Sequence, residues 1–244
     1  MNWKFINTGE NTGVYNMNYD INLVENCKFD EAYFRIYRWR PYCISLGFTQ
    51  NIEEVNETKA LSDNIEVVRR PTGGRAILHA EEITYSVVIP LTEGYTARSV
   101  YTKISEALIR GLTKYDKILG EAELETVQPD FAKLHQQPDG MVCFASTAKS
   151  EVKFKGKKLI GSAQRKMGKY LLQHGSILCG TYHRNLIDYL NNLTDYHYKL
   201  IKNEFFAKTT EIETITGESV DYKRLIHGLV NGFKEEWGIE FTNI

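Results

Sequence analysis

The chain has 244 residues, 42% of them hydrophobic and 12% aromatic, enough apolar surface for a substantial core without a disulfide or metal staple. Thirty basic residues against thirty-one acidic ones leave a formal charge of −1, so no global field draws the protein to nucleic acid or an anionic membrane, and partners must be recognised locally. The four cysteines, Cys27, Cys43, Cys143 and Cys179, form no CxxC pair and no zinc-type His/Cys spacing, which argues against a disulfide scaffold and a structural metal.

The N-terminus lacks a charged segment followed by an apolar run, and no stretch approaches the roughly 18 consecutive apolar residues of a membrane span. A soluble, cytoplasmic protein with reduced thiols is expected. Asn16 to Glu25 places Met17, Ile21 and Val24 on one helical face, with Asn16 as N-cap and Asp20 near that face. Ala32 to Trp39 and Cys43 to Phe48 read as strands, the second ending at Gly47, and Ile52 to Ser62 as a short exposed helix. A strand over Ile65 to Arg70 stops at Pro71-Thr72-Gly73-Gly74, and strand order resumes over Ile83 to Ile89, so the TGG segment is a loop between strands.

Ser99 is the expected cap of a helix through Tyr115, whose Val100, Ile104, Ala107, Leu108 and Leu112 recur at three and four residues. The pattern fades between Glu121 and Gly140, where a loop around Pro129 to Gly140 is a candidate lid and Cys143 is expected in or beside an exposed loop. Lys158 to Ile160 and Leu171 to Leu178 read as strands, with Gly161-Ser162-Ala163 as a small-residue crossing and Gly156-Lys157 as a hairpin turn. After Ser219, an apolar helical face from Leu225 to Trp237 closes at Gly238. With no repeat and no linker, the chain reads as one mixed α and β domain over 1–244.

Two stretches carry candidate chemistry. In Arg69-Arg70-Pro71-Thr72-Gly73-Gly74-Arg75-Ala76-Ile77-Leu78-His79, adjacent glycines let backbone N–H groups approach a ligand and flanking arginines can fix phosphate or carbonyl oxygens. Taken alone, such a loop is structural in roughly two cases of three, and His79 alone reads as a satisfied strand histidine. The second stretch is Cys143-Phe144-Ala145-Ser146, followed by Lys158 within Gly156-Lys157-Lys158-Leu159-Ile160-Gly161-Ser162-Ala163-Gln164. A nearby ammonium stabilises a thiolate over the thiol and makes it a nucleophile at working pH. An isolated intracellular cysteine is inert in roughly three cases of four, and Cys27, Cys43 and Cys179 keep that reading.

The RRxTGGxxxxH loop, the GKKxxGSAQ segment and Leu172-Gln173-His174-Gly175-Ser176-Ile177-Leu178 occur in this order. Together they resemble the lipoate-protein ligase and octanoyltransferase family over approximately Asn16 to Leu178. The resemblance implies an α+β fold shared with biotin ligases: a single catalytic domain with a mixed β-sheet flanked by helices and an acyl tunnel. Little chain follows the Ser219 helix, so no separate accessory domain is expected. ATP-dependent ligases of the family carry an Asn-Asp pair where this chain has Ser150-Glu151, whereas Cys143-Phe144 and Gln164-Arg165 resemble the cysteine-dependent octanoyltransferases.

That likeness implies a role in lipoate biosynthesis and protein lipoylation. Octanoyl would leave an acyl carrier protein, form a thioester on Cys143 beside Lys158, and pass to a lysine of a lipoyl domain or of the glycine-cleavage H protein. Arg70, Thr72, Gly73, Gly74, His79, Gly161, Ser162, Ala163, Gln164 and His174 are the residues expected to shape the substrate site, with backbone N–H groups near Gly73, Gly74, Gly161 or Ser162 as oxyanion donors. No metal and no cofactor are expected, with ATP and Mg²⁺ entering only if the protein is instead an ATP-dependent lipoate ligase. The resemblance also accommodates an amidotransferase acting between lipoylated proteins and, in a different class, a noncatalytic binder of acylated proteins.

Overall fold

The computed structural model describes residues 1–92, 94–126 and 150–242. Cys143 and the candidate lid over Pro129 to Gly140 lie outside the described residues. The first half of the chain forms β1 (Asn2–Asn11), α1 (Gly13–Asn26), β2 (Glu31–Trp39), β3 (Cys43–Leu46), α2 (Glu57–Ser62), β4 (Glu66–Arg69), β5 (Ile77–His79), β6 (Glu82–Pro90) and α3 (Ala97–Tyr115). After these come β7 (Glu123–Leu124), β8 (Val152–Phe154), β9 (Lys157–Met167), β10 (Tyr170–Leu178), α4 (Asp195–Lys208), α5 (Ile212–Thr216), α6 (Tyr222–Trp237) and β11 (Phe241–Thr242).

Eight strands form a mixed sheet in the order β11-β1-β2-β6-β10-β9-β8-β7, and β4-β3-β5 form a smaller one. The β11/β1/β2 pairs are parallel and the remaining pairs of the large sheet antiparallel. This is the α+β class expected from the sequence. Alternation along β6 sends Ile83, Tyr85, Val87 and Ile89 into the main core with Val100, Ile104 and Leu108 of α3 and Leu225, Leu229 and Phe233 of α6. The smaller sheet packs Ile44, Leu46 and Leu78 against Leu186 and Ile187 of a 3₁₀ segment and Ile201 and Phe205 of α4. Among the described residues, no helix is long and apolar enough to cross a membrane.

Several local expectations shift. Helix α1 begins three residues before Asn16, capped by the Thr12 side chain at 3.2 Å from Tyr15 N. Asn16 is buried instead, bridging the carbonyls of Asn11 and Arg38 and accepting from Arg35 Nη2 at 2.6 Å. Thr96 rather than Ser99 caps α3, and Ser99 completes a capping box from its third position. The 52–62 segment splits into a 3₁₀ turn, Ile52–Glu54, and α2. Gly161-Ser162-Ala163 is no crossing, because β9 runs straight through it. The hairpin before β9 turns one residue early, at Lys155 and Gly156, whose φ values of 48° and 78° are both left-handed. Strand β1, helix α4 and the 3₁₀ segment Tyr182–Tyr189 are additional to the elements expected from the sequence.

Helices α3 and α6 approach closely enough to require glycine. A Cβ on Gly232 would lie 2.2 Å from Gly111 N and 2.7 Å from Ala107 O. In an exposed helix Gly→Ala gains about 1 kcal/mol; here the backbone contact reverses the sign. Gly232→Ala is expected to destabilise by about 1–3 kcal/mol, read as a lower urea midpoint with an unchanged slope.

Candidate active site

Three adjacent strands place polar side chains on the face of the sheet opposite α3 and α6. Register aligns Arg35 with Ser86 and Tyr37 with Thr84 across β2/β6, and His174 with Ser86 and Ser176 with Thr84 across β10/β6. Helix α1 and the smaller sheet cover this face and leave a cavity whose apolar wall includes Met17, Tyr37, Trp39 and Ile77. Arg70, His79, Gly161, Ser162, Ala163 and His174, all nominated from the sequence, line it as well. Gly175 lets β9 and β10 close up there, since a Cβ would meet Gly161 O at 2.5 Å.

The TGG loop is moulded by Arg70. Its Nη1 donates to Ser45 O at 2.8 Å and Ser45 Oγ at 3.1 Å, Nη2 to Gly73 O at 2.8 Å and Arg75 O at 2.7 Å, and Nε to Gly73 O at 3.2 Å. The guanidinium therefore fixes loop carbonyls, with Gly74 at φ 93° closing the turn. Arg165 adds a bond from Nη1 to Pro71 O at 2.7 Å and covers the half-exposed Phe48 ring at 4.0 Å. Gln164 turns to the helix side instead, donating from Nε2 to Ala97 O at 3.0 Å and to Gln173 Oε1 at 2.9 Å.

Two hydroxyl–imidazole–carboxylate chains underlie the cavity. Ser45 Oγ lies 2.7 Å from His79 Nε2, and His79 Nδ1 lies 2.8 Å from Glu82 Oε1, which also accepts from Thr84 and Ser176. An ionised Glu82 makes Nδ1–H the donor on that side of the ring, while Trp39 stacks on it at 4.1 Å. Burial opposes ionisation of Glu82, but the His79, Thr84 and Ser176 contacts outweigh it and hold the carboxyl below its usual range. In the second chain Thr72 Oγ1 lies 2.6 Å from His174 Nε2, and His174 Nδ1 lies 3.3 Å from Asp20 Oδ2. Asp20 Oδ1 takes Arg35 Nη1 at 2.7 Å with both side chains fully buried. Burial keeps His174 neutral by lowering its pKa. It also opposes ionisation of Asp20, but the His174 and Arg35 contacts prevail and lower that carboxyl.

Lys158 sits behind the Ser162 side of the cavity, 1% exposed, with Nζ 3.0 Å from Glu151 Oε2. The other oxygen of Glu151 accepts Ser162 N–H at 3.1 Å, so this expected oxyanion donor is already engaged. Ser162 Oγ meets Tyr85 OH at 2.7 Å, and burial pushes that phenol up to about 12. Sequence reasoning missed Glu151, Glu82, Ser176 and the function of Asp20. For Glu82 the signal was the run Glu82-Ile83-Thr84-Tyr85-Ser86-Val87, which alternates polar with apolar although every residue is buried. Burial pushes the thiols of Cys27, Cys43 and Cys179 up, Cys27 to about 12, which suits the inert packing expected of them.

Removing one partner of a buried pair strands the other charge. Asp20→Ala is expected to cost about 3–5 kcal/mol by denaturant unfolding at pH 7. Because the folded carboxyl lies below its ordinary value, its stabilisation is present above about pH 4 and disappears in stronger acid, so the gap between wild type and variant should narrow there.

A family profile described as the lipoyl protein ligase A/B catalytic domain matches residues 12–234. The chain is 32% identical over 247 residues to an octanoyltransferase LipM of Staphylococcus aureus strain NCTC 8325, spanning 98% of this chain and 88% of that protein. It is 33% identical over 243 residues to an octanoyltransferase LipM of Macrococcus caseolyticus, spanning 96% and 86%. Among solved structures, one of a bi-partite lipoate protein ligase and its E2 lipoyl domain from Thermoplasma acidophilum superposes with a TM-score of 0.76 at 21% identity, covering 100% of this chain and 88% of that one; that likeness carries the fold alone. The apolar-sided cavity, the Lys158 strand beside it and similarity along nearly the whole sequence converge: the chain belongs to the lipoyl protein ligase A/B catalytic domain family and is an acyltransferase.

Proposed function

We propose that this enzyme is a cytoplasmic protein N-octanoyltransferase of lipoate biosynthesis, moving octanoyl from acyl carrier protein to a lysine of a lipoyl domain or of the glycine-cleavage H protein. The observation that carries this reading is the buried Lys158 ammonium behind the Ser162 wall of an apolar-sided cavity, in a chain about one-third identical to octanoyltransferases along nearly its full length. The cavity takes the acyl chain, and the ammonium stands ready for charge that develops at the thioester.

Cys143 thiolate attacks the thioester carbonyl, the carbon–sulfur bond to the carrier breaks, and the departing thiolate takes a proton from Lys158. The acyl group is then a thioester on Cys143. In the second half the acceptor lysine attacks that carbonyl, its proton returns to Lys158, and Cys143 leaves as thiolate. Exchange of one thioester for another is nearly isoenergetic, so no ATP enters. Amide formation makes the second half irreversible. Arg70 and His174 act through the loop they hold, His79 through the cavity wall.

The test is incubation with octanoyl acyl carrier protein without ATP, followed by intact and peptide mass spectrometry. A hydroxylamine-sensitive octanoyl group is expected on Cys143 and is passed on when a lipoyl domain is added. Cys143→Ala should abolish transfer and Lys158→Ala slow it by about 100-fold or more. If Cys143 stays unmodified while free lipoate plus ATP labels the lipoyl domain equally well in Cys143→Ala, an ATP-dependent ligase replaces this reading.

A further inference from the structure

Lys158 and Glu151 are a charge pair shut off from water, the two side chains 1% and 3% exposed and 3.0 Å apart. Burial disfavours a lone ammonium, and a carboxylate in contact reverses that preference. Strand topology explains why the carboxylate is here. Strand β8 pairs with β9 only from Lys157 to Ile160, so beyond Ile160 that edge of β9 lacks a ladder partner among the described residues. Glu151, the residue immediately before β8, fills the gap by accepting Ser162 N–H at 3.1 Å. One carboxylate thus ties the ammonium to the backbone that lines the cavity.

Other groups around the pair come from each neighbouring element. Lys153 stands opposite Lys158 on β8 and is bridged to Glu125 at 2.7 Å. From α3, Tyr101 OH donates to Ser162 O at 3.4 Å and Thr102 bonds Ser150 Oγ at 3.2 Å. The Tyr85 phenol faces Glu151 from β6. On the far side Lys158 bridges through its backbone to Thr209, behind which His183 and Arg184 both meet Glu211, at 3.5 and 2.7 Å. Of these, Glu151 is the carboxylate in contact with Lys158 Nζ.

We propose that Glu151 is the positioning residue of Lys158, holding the ammonium beside Ser162 at the wall of the acyl cavity and keeping its charge in place between proton transfers. The proposal rests on Lys158 serving the thioester as described above. Glu151 favours the ammonium after each half-reaction, so the proton given to the departing thiol is recovered from the acceptor amine rather than lost to solvent.

The test separates this proposal from the reading beneath it. Lys158 Nζ is titrated by NMR in ¹⁵N-lysine-labelled wild type, Glu151→Gln and Glu151→Asp, with Lys158→Ala assigning the signal and thermal melts reporting the fold. In Glu151→Gln, Lys158 is expected to lose its proton at a pH lower by about one unit or more. Glu151→Asp keeps the charge but withdraws it, so its shift should have the same sign and be smaller. The alkaline limb of the octanoyl-transfer pH profile should move down in step. If Lys158 titrates in both folded variants as in wild type, or transfer drops uniformly with an unmoved limb, Glu151 is only structural and the proposal fails. Wild-type transfer rates in Lys158→Ala would instead overturn the reading of Lys158, whatever the titration shows.

Discussion

Sealing charged and polar side chains away from water costs several kcal/mol per ion unless each finds a partner, and this constraint organises the cavity side of the large sheet. Arg35 on the second strand is fully buried, and it is tolerable only because Asp20 of the first helix lies 2.7 Å away and Asn16 and Thr8 take its remaining donors. The helix must therefore sit where Asp20 reaches both Arg35 and His174. That position makes it one wall of the cavity, with Met17 presented inward.

Loop shape follows from the same pairing. Burial keeps His174 neutral, and from its place between Asp20 and Thr72 it fixes the loop threonine from below while Arg70 gathers the loop carbonyls from the side. The paired glycines expected to cradle a ligand are thus part of a braced turn. The Thr72–His174 and Arg70–Ser45 hydrogen bonds that brace it are buried, and such bonds are stronger in low dielectric than in water. A preorganised wall suits acyl transfer, because donors already oriented need not reorganise as charge develops.

Lys158 illustrates how the same physics acts on the reactive group. An ammonium behind a strand, beside apolar surface, would be poorly placed without an anion, and Glu151 is delivered by the short edge strand next to it. Among the described residues, the Glu151 carboxylate couples charge to cavity. Position 151 registered in the sequence only as a departure from an Asn-Asp pair, and its geometry gives the departure a physical meaning.

What the sequence determined by itself is what local pattern can encode. The 3.6-residue stripes of the third and last helices, the strand order around the TGG loop, the inert cysteines and the ordered motifs that mark the family were all legible, because each depends on residues near one another along the chain. Helix starts were legible only approximately, since Thr12 and Thr96 compete with equally good capping residues at Asn16 and Ser99. Tertiary structure alone decided who partners whom. Asp20 meets His174 across 154 residues and Thr72 meets it across 102, distances set by strand register. Gln164, nominated for the cavity, turns to the third helix, while Ser176 and Glu82 enter the network unannounced. The physical reason is that strands buried on both faces lose the exposed-to-buried contrast from which periodicity is read, so the face a side chain takes is known only once its neighbours in the sheet are known.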